Sequence, residues 1–580
     1  MKPVVAAGIA ALVLFGLAER AQAVDLRELY EESLVAKALT KHNLVIDPAP
    51  DGKQIEGVVI EANKILLPGD LPLSTKIPWT LLNRLHTRTR DYIIAQELLF
   101  SVGQPFARDV FEESGRNLRR MFILAVARLV VCQGSTPHRV VILVVTKDNW
   151  SLRLNTDFAL DQARLDSLSF SLSESNLAGR NKTASVAFAL DPGRYTLGAG
   201  YTDPRMGGSR HQLSLAAGVH LNRESSAYEG AYANVTVGRP LYSLRTTWGW
   251  SVAFSYLEDI VRQFRGGDIA VVVRDSNIIP FIYRERRIQG IVNVTRSFGV
   301  VNKLNITLGF RVDSNLYRTP LDFPEVGPAA AASFRSLLPR SEDAAGPYVA
   351  LDAFRARYLR LQNIDTYALS EDFRVGPSLS VIARAAHPAF GFSSQFLSMS
   401  VSYSDTRYFH GDLMTIAASA AVRLQDGVWP GSTMVNEDLQ IAVRNVTPKF
   451  GPFRLHVFAS MRLRGHDLDS LRLTLGSDSG LRAYAPRALI GNDRYQLNIE
   501  LRTGALNFWT LHVGAVVFYD AGDAPANLRS FGWKQGAGVG LRILIPQFNH
   551  DVIRLDLAFP FEVPAGGYVP RFSASFGQAF

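Results

Sequence analysis

The sequence predicts a transmembrane antiparallel β-barrel preceded by one small α+β domain, and three observations carry that prediction. From Trp150 to Phe580, short alternating segments follow one another without a domain break, a stretch too long for a single sandwich. The N-terminus reads as an export signal. No later apolar run approaches the roughly 20 residues that a helical span requires. The composition excludes other classes. The 580 residues are 47% hydrophobic and 20% charged with a net charge of +9, and 33 Phe with 19 Tyr are too many for a disordered chain. Cys132 is the one cysteine, so a disulfide scaffold is excluded as well.

Residues 1–23 read as a signal peptide. Lys2 gives the positive start, Val4–Ala18 the apolar stretch, and Ala21-Gln22-Ala23 the small-x-small cleavage pattern. The stretch is short for an uncleaved anchor. Residues 24–53 form a polar lead in which Asp25–Lys41 can be a short helix. Residues 54–149 then read as one domain. Ile55–Ala62 is a strand, Arg90–Gly103 and Arg108–Arg119 are amphipathic helices, and Gly103 is placed as the C-cap of the first. Met121–Val131 and Arg139–Val145 are β-rich and separated by the turn cluster Gly134-Ser135-Thr136-Pro137. Cys132, at the end of the middle strand, reads as a buried, inert thiol.

Residues 150–580 carry the barrel pattern. Leu497, Ile499 and Leu501 share one face, and Asn498, Glu500 and Arg502 the other. Leu511, Val513, Ala515, Val517 and Tyr519 likewise oppose His512, Gly514 and Asp520. In a soluble sandwich the apolar face turns inward. In a membrane barrel it meets lipid and the charges line the lumen. Export, unbroken length and the need to leave no open edge in lipid favour the barrel. The stretch Pro320–Pro347 is then placed as an extracellular loop, and Phe576 and Phe580 lie in a strand-like segment that reads as a C-terminal strand signal.

The segment Leu475-Gly476-Ser477-Asp478-Ser479-Gly480-Leu481-Arg482-Ala483-Tyr484 resembles the loop signature of the BamA/TamA outer-membrane assembly factors, the bacterial surface antigen superfamily. In that family a Val/Leu-Arg-Gly-Phe/Tyr tetrad tips an extracellular loop that folds back into the barrel. Here Ala483 stands where the family has glycine. Asn498-Ile499-Glu500-Leu501-Arg502, Phe518-Tyr519-Asp520-Ala521-Gly522 and the run from Gly536 to Asp556 are similar to the strands that follow the loop. Upstream, Glu113–Arg119 and Val144–Trp150 resemble a polypeptide-transport-associated (POTRA) domain and its exit into the barrel. The resemblance implies sixteen strands and a loop pinned by Arg482 and Tyr484, with Gly480, Leu481 and Ala483 completing its tip. Independently, Glu500 and Asp520 fall on the charged faces of adjacent strands. Two such carboxylates repel unless a cation lies between them, and an arginine offers a planar fork of donors to both.

The same resemblance implies a protein that inserts other proteins into the outer membrane, its N-terminal domain in the periplasm. Its partners would be unfolded outer-membrane or exported proteins, outer-membrane lipids and accessory lipoproteins. A secretion pore for a dedicated exported protein, or a barrel without clients, are the rival readings. The chain is not read as an enzyme, and no cofactor or metal is expected. Gly476-Ser477-Asp478-Ser479-Gly480 lacks the central serine of a nucleophile elbow, and His466-Asp467-Leu468-Asp469 reads as a solvated turn. The basic surplus is spread along the chain, so nucleic-acid binding has no support.

Overall fold

The structure, a computed structural model, describes residues 26–65, 86–161, 164–265, 268–274, 277–320, 323–366, 370–426, 433–468, 472–508, 511–544, 552–562 and 570–576. The signal-peptide reading of residues 1–23 and the terminal Phe580 lie outside them. For Phe576, only its backbone pairing with Ile553 is described. No helix among the described residues is long and apolar enough to cross a membrane.

The N-terminal domain is built on three strands, β1 (Gln54–Asn63), β2 (Leu124–Gln133) and β3 (Arg139–Asp148), in the order β1-β3-β2. Helix α1 (Leu26–His42) precedes β1, while α2 (Asp91–Glu97) and α3 (Arg108–Arg119) lie between β1 and β2. The continuous apolar run of β3 is explained by cover on both faces. On one, Ile93, Ile94, Phe106 and Leu118 pack against Val140, Ile142 and Val144. On the other, Leu34, Val35 and Ala38 of α1 pack against Leu143, Val145 and Cys132. The lead is therefore a third layer of this domain.

One helix ends earlier than its amphipathic pattern predicts. α2 stops at Glu97, because Leu98 is extended at φ −71°, ψ 136°. The segment beyond it pairs with the start of β1 instead: Gly103 N donates to Ile55 O (2.8 Å) and Ile55 N donates to Gln104 O (2.9 Å). Gly103 thus serves a turn at φ +90°, where a side chain would be strained, rather than a helix cap.

Beyond Trp150 the described residues close into a barrel of 22 strand segments. Glu342–Arg355 and Arg357–Gln362 both pair with Ser370–Ala386, and Arg494–Thr503 and Leu506–Phe508 both pair with Leu511–Asp523. Counting each of those couples as one interrupted strand gives 20 strands, in place of the sixteen that the resemblance implies. The difference lies in tight connections. Strands meet across residues 192–193 and across residues 410–411, so each strand takes less chain than sixteen would have needed.

Side chains alternate across the wall. Trp250, Val252 and Phe254 are exposed on the outer face, opposite the exposed Val294 and Val292 of the neighbouring strand. The buried carboxylates Glu500, Asp520 and Asp556 occupy the inner face. An apolar exterior around a charged interior is the membrane-barrel arrangement. The N-terminal domain docks at one end, here called proximal. Arg245 meets Asp109 (2.6 Å), Arg205 meets Glu97 (2.6 Å), and Glu113 accepts from Leu244 N (2.5 Å). Much of Pro320–Pro347 connects strands at the distal end, where helix Pro328–Arg335 buries Ala330 and Phe334 against Ile279. Its last residues belong to strand Glu342–Arg355.

Candidate functional site

The chain between strands Phe453–Gly465 and Arg494–Thr503 leaves from the distal end and turns back into the barrel. A short ribbon, Leu473–Leu475 against Leu489–Gly491, brings it in. Its tip is tied by local bonds. Leu481 N donates to Gly476 O (2.8 Å), Gly476 N to Ser479 Oγ (2.9 Å), and Arg487 N to Asp478 Oδ1 (3.1 Å). Gly480 sits at φ +111°, which a side chain would resist. Leu475 and Leu481, both fully buried, pack on Val516, Phe518 and Ala558 of the wall.

This tip places Arg482 at zero exposure among three carboxylates. Its Nε and Nη2 donate to the two oxygens of Asp520 at 2.8 and 2.7 Å, the bidentate geometry that makes arginine–carboxylate pairs strong. Its backbone N–H reaches Asp520 as well, at 3.2 Å. Nη1 donates to Glu500 and lies 3.3 Å from Asp556. The guanidinium stacks 3.5 Å from the Phe518 ring centroid. Tyr484 Oη donates to Gln535 O (3.3 Å), fixing the other side of the tip.

The predicted docking residues Arg482, Tyr484, Glu500 and Asp520 therefore gather at one place, with Arg482 touching both acids directly. Several further contributors were not singled out in sequence. Arg542 donates to Asp556 (2.6 Å), and Arg502 donates to Glu500 (2.7 Å). Asn498 Nδ2 donates both to Asp520 (2.6 Å) and to the Gly480 carbonyl (2.6 Å), tying loop to wall. The signal for all of them was their place on the charged faces of the last strands. Burying so many ions is costly unless each is paired, and here arginines and carboxylates interleave.

Ala483 is buried at 1% exposure, and no positive φ is imposed on it. The space for its methyl group comes from across the lumen wall. A Cβ built at Gly536 would stand 2.4 Å from the Ala483 Cβ. The departure from the family tetrad is thus accommodated by a glycine on strand Lys534–Leu544.

Residues 459–580, which hold this loop and the strands it docks on, match the family model described as the Omp85 superfamily domain. The resemblance read from the motifs concerns the same residues. No curated protein matches the chain. Among solved structures, the chain is similar to BamA from Haemophilus ducreyi lacking POTRA domains 1–3, at 11% identity over 91% of this chain and 84% of that one, with a TM-score of 0.36. It is also similar to CdiB from Escherichia coli, at 11% identity over 92% and 80% (TM-score 0.45). For CdiB from Acinetobacter baumannii the values are 10% identity over 92% and 78%, with a TM-score of 0.38.

Proposed function

We propose, from the Omp85 superfamily domain at residues 459–580, that the chain sits in an outer membrane and assembles or inserts other proteins there. The N-terminal domain is then a POTRA domain in the periplasm, and the distal loops are extracellular. The observation that carries this reading is the inward-folded loop held by Arg482 on Glu500, Asp520 and Asp556. A loop fixed on the last strands holds rigid the wall beside the place where the barrel closes, at strand Arg571–Phe576. Strand Leu152–Asp161 lies against it. This closure, where the last strand meets the first, is where an extended client strand can pair and enter the sheet. The outer edges of β1 and β2 offer extended segments the same mode of capture by strand addition, although residues 45–47 of the chain already occupy β2 at Val131–Gln133 and residues 103–105 the start of β1. No covalent step is called for, and no catalytic residue is proposed.

Depletion of the protein, followed by quantification of outer-membrane and secreted proteomes, tests the reading. Loss of many barrel proteins is expected. Loss of a single exported protein with the barrel proteome intact would replace it with a dedicated secretion pore.

A further inference from the structure

At the proximal end, one hairpin leaves the barrel wall. Strand Glu342–Arg355 breaks at Ala356, whose N–H donates to Val301 O (2.7 Å), and the chain continues as Arg357–Gln362 paired with the start of Ser370–Ala386. Opposite the break stands Gly376 at φ +103°, followed by Pro377. A strand interruption facing a left-handed glycine is a bend in the sheet. Beyond it, residues 357–366 form an arm directed into the lumen.

The tip of the arm reaches the inner face of the wall two to four strands away. Ile364, 4% exposed, packs on Leu413 and Val446. Leu413 alternates with the outward Met414 and Ile416, so the contact is on the inner face. Asp365 pairs with Arg444, and Arg454 donates to the Asn363 carbonyl at 2.9 Å. Arg444 and Arg454 stand on strands Thr433–Val446 and Phe453–Gly465, three and four strands beyond the arm's root. Glu371 holds the tip in shape by accepting from the backbone N–H groups of Asp365 (3.2 Å) and Thr366 (2.7 Å).

The same arm is gripped from outside by the N-terminal domain. Arg119 of α3 makes a two-pronged contact with Asp372, at 2.9 and 3.0 Å. Arg116 lies 4.7 Å over the Tyr358 ring. Glu31 of α1 bridges Arg128 of its own domain (3.2 Å) and Arg360 of the arm (3.3 Å).

We propose that this arm is a gate over the proximal mouth of the lumen, hinged at Ala356 and Gly376, whose release from the wall is coupled to undocking of the N-terminal domain. The domain cannot swing away from the rim without parting from Asp372, Tyr358 and Arg360 or drawing the arm with it. Displacing the domain therefore removes the arm's outer restraints and favours its release from the wall. The inference does not depend on what the barrel handles, and its test needs no client.

The test uses the full chain carrying Cys132→Ser and Ile364→Cys, reconstituted in liposomes and treated with a membrane-impermeant maleimide. Slow labelling is expected. Asp372→Ala or Glu31→Ala should accelerate it roughly tenfold, a modest population shift, and Asp372→Glu should restore protection. Asp365→Ala should raise single-channel conductance in planar bilayers. Heat-modifiable migration in gels verifies that each variant keeps a closed barrel. Labelling that ignores Asp372 and Glu31 overturns the coupling. Unchanged conductance in Asp365→Ala, with the thiol introduced at position 364 freely labelled, overturns the gate.

Discussion

Arg482 shows how much can rest on one side chain. Its guanidinium is wholly buried and touches Glu500, Asp520 and Asp556, so its removal strips Asp520 of its bidentate partner and leaves Glu500 and Asp556 to Arg502 and Arg542. Breaking a buried pair typically costs about 3–5 kcal/mol. Arg482→Ala is therefore expected to release the loop, read as faster proteolysis between residues 472 and 493 and lower assembly activity. Arg482→Lys should behave almost as badly, because a point charge cannot fork across the two oxygens of Asp520. Unchanged protease resistance in both variants would contradict the docking role. The tetrad's third position allows a reciprocal experiment. Gly536→Ala should destabilise the loop, since its methyl would lie 2.4 Å from Ala483. Adding Ala483→Gly should restore part of the loss, but not all of it, because Phe559 O remains 2.9 Å from the new methyl. Equal stability of single and double variants would show that the two positions do not pack. Glu500 and Asp520 were legible in sequence because a strand's two-residue period assigns each charge to a face, and Arg482 because the loop motif resembles a known signature. Asp556 and Arg542 lay within the run that is similar to the last strands, but no partner was assigned to either. Which lumen charges meet depends on how the barrel closes, and alternation within a strand carries no information about that.

Elements differ in how well the pattern speaks for them. Strands with one face in lipid and one in the lumen alternate cleanly, and the sequence reading of Arg494–Thr503 and Leu511–Asp523 agrees with the observed faces. The end of α2 was misplaced because Gly103 satisfies a rule for helix caps and serves a turn instead. The bend at Gly376 was invisible, since Gly-Pro within a strand-like run reads as an ordinary turn signal. Helix α1 was read only as part of a polar lead outside the domain, yet it packs on the sheet beside Cys132. Burial pushes that thiol up to about 11, with Asp47 nearby adding to the rise. The thiol is expected to resist alkylation at pH 8 in the folded chain and to react when Leu34→Asp loosens α1, a difference that mass spectrometry reads directly. Docking of α3 on the barrel rim should in turn depend on acidity. The hydrogen bond from Arg245 holds Asp109 below its ordinary 3.8, so its contribution is present above that pH and is lost as pH falls through the lowered value. Burial holds Glu113 above its ordinary 4.5, so its contribution is complete below 4.5 and is lost as pH rises through the raised value. Crosslinking between domain and barrel should therefore be greatest between these limits, and Glu113→Gln should abolish only the decline on the alkaline side. A profile in Glu113→Gln identical to that of the parent would refute this assignment.

At the scale of the whole molecule, the number of strands sets the problem that the inward elements solve. Barrels of about 16–18 strands already leave an aqueous channel, and larger ones carry a plug. With 20 strands, this wall encloses more lumen than its own side chains can fill. The Arg482 loop enters from the distal end, and the arm at residues 357–366 enters from the proximal end, so an ion crossing the barrel meets two constrictions in series. Resistances in series add, and the narrower constriction sets the current while it remains. Shortening the loop by removing residues 476–487 should then raise conductance only modestly, because the arm still closes the far mouth. Asp365→Ala alone is limited in the same way by the loop. Combining the two should give a wide, steady pore whose conductance exceeds the sum of the separate increases. Two parallel paths through the barrel would instead give simple addition. Single-channel recordings of the parent, both single variants and the combined variant distinguish these outcomes, and simple addition would mean that loop and arm do not obstruct one common path.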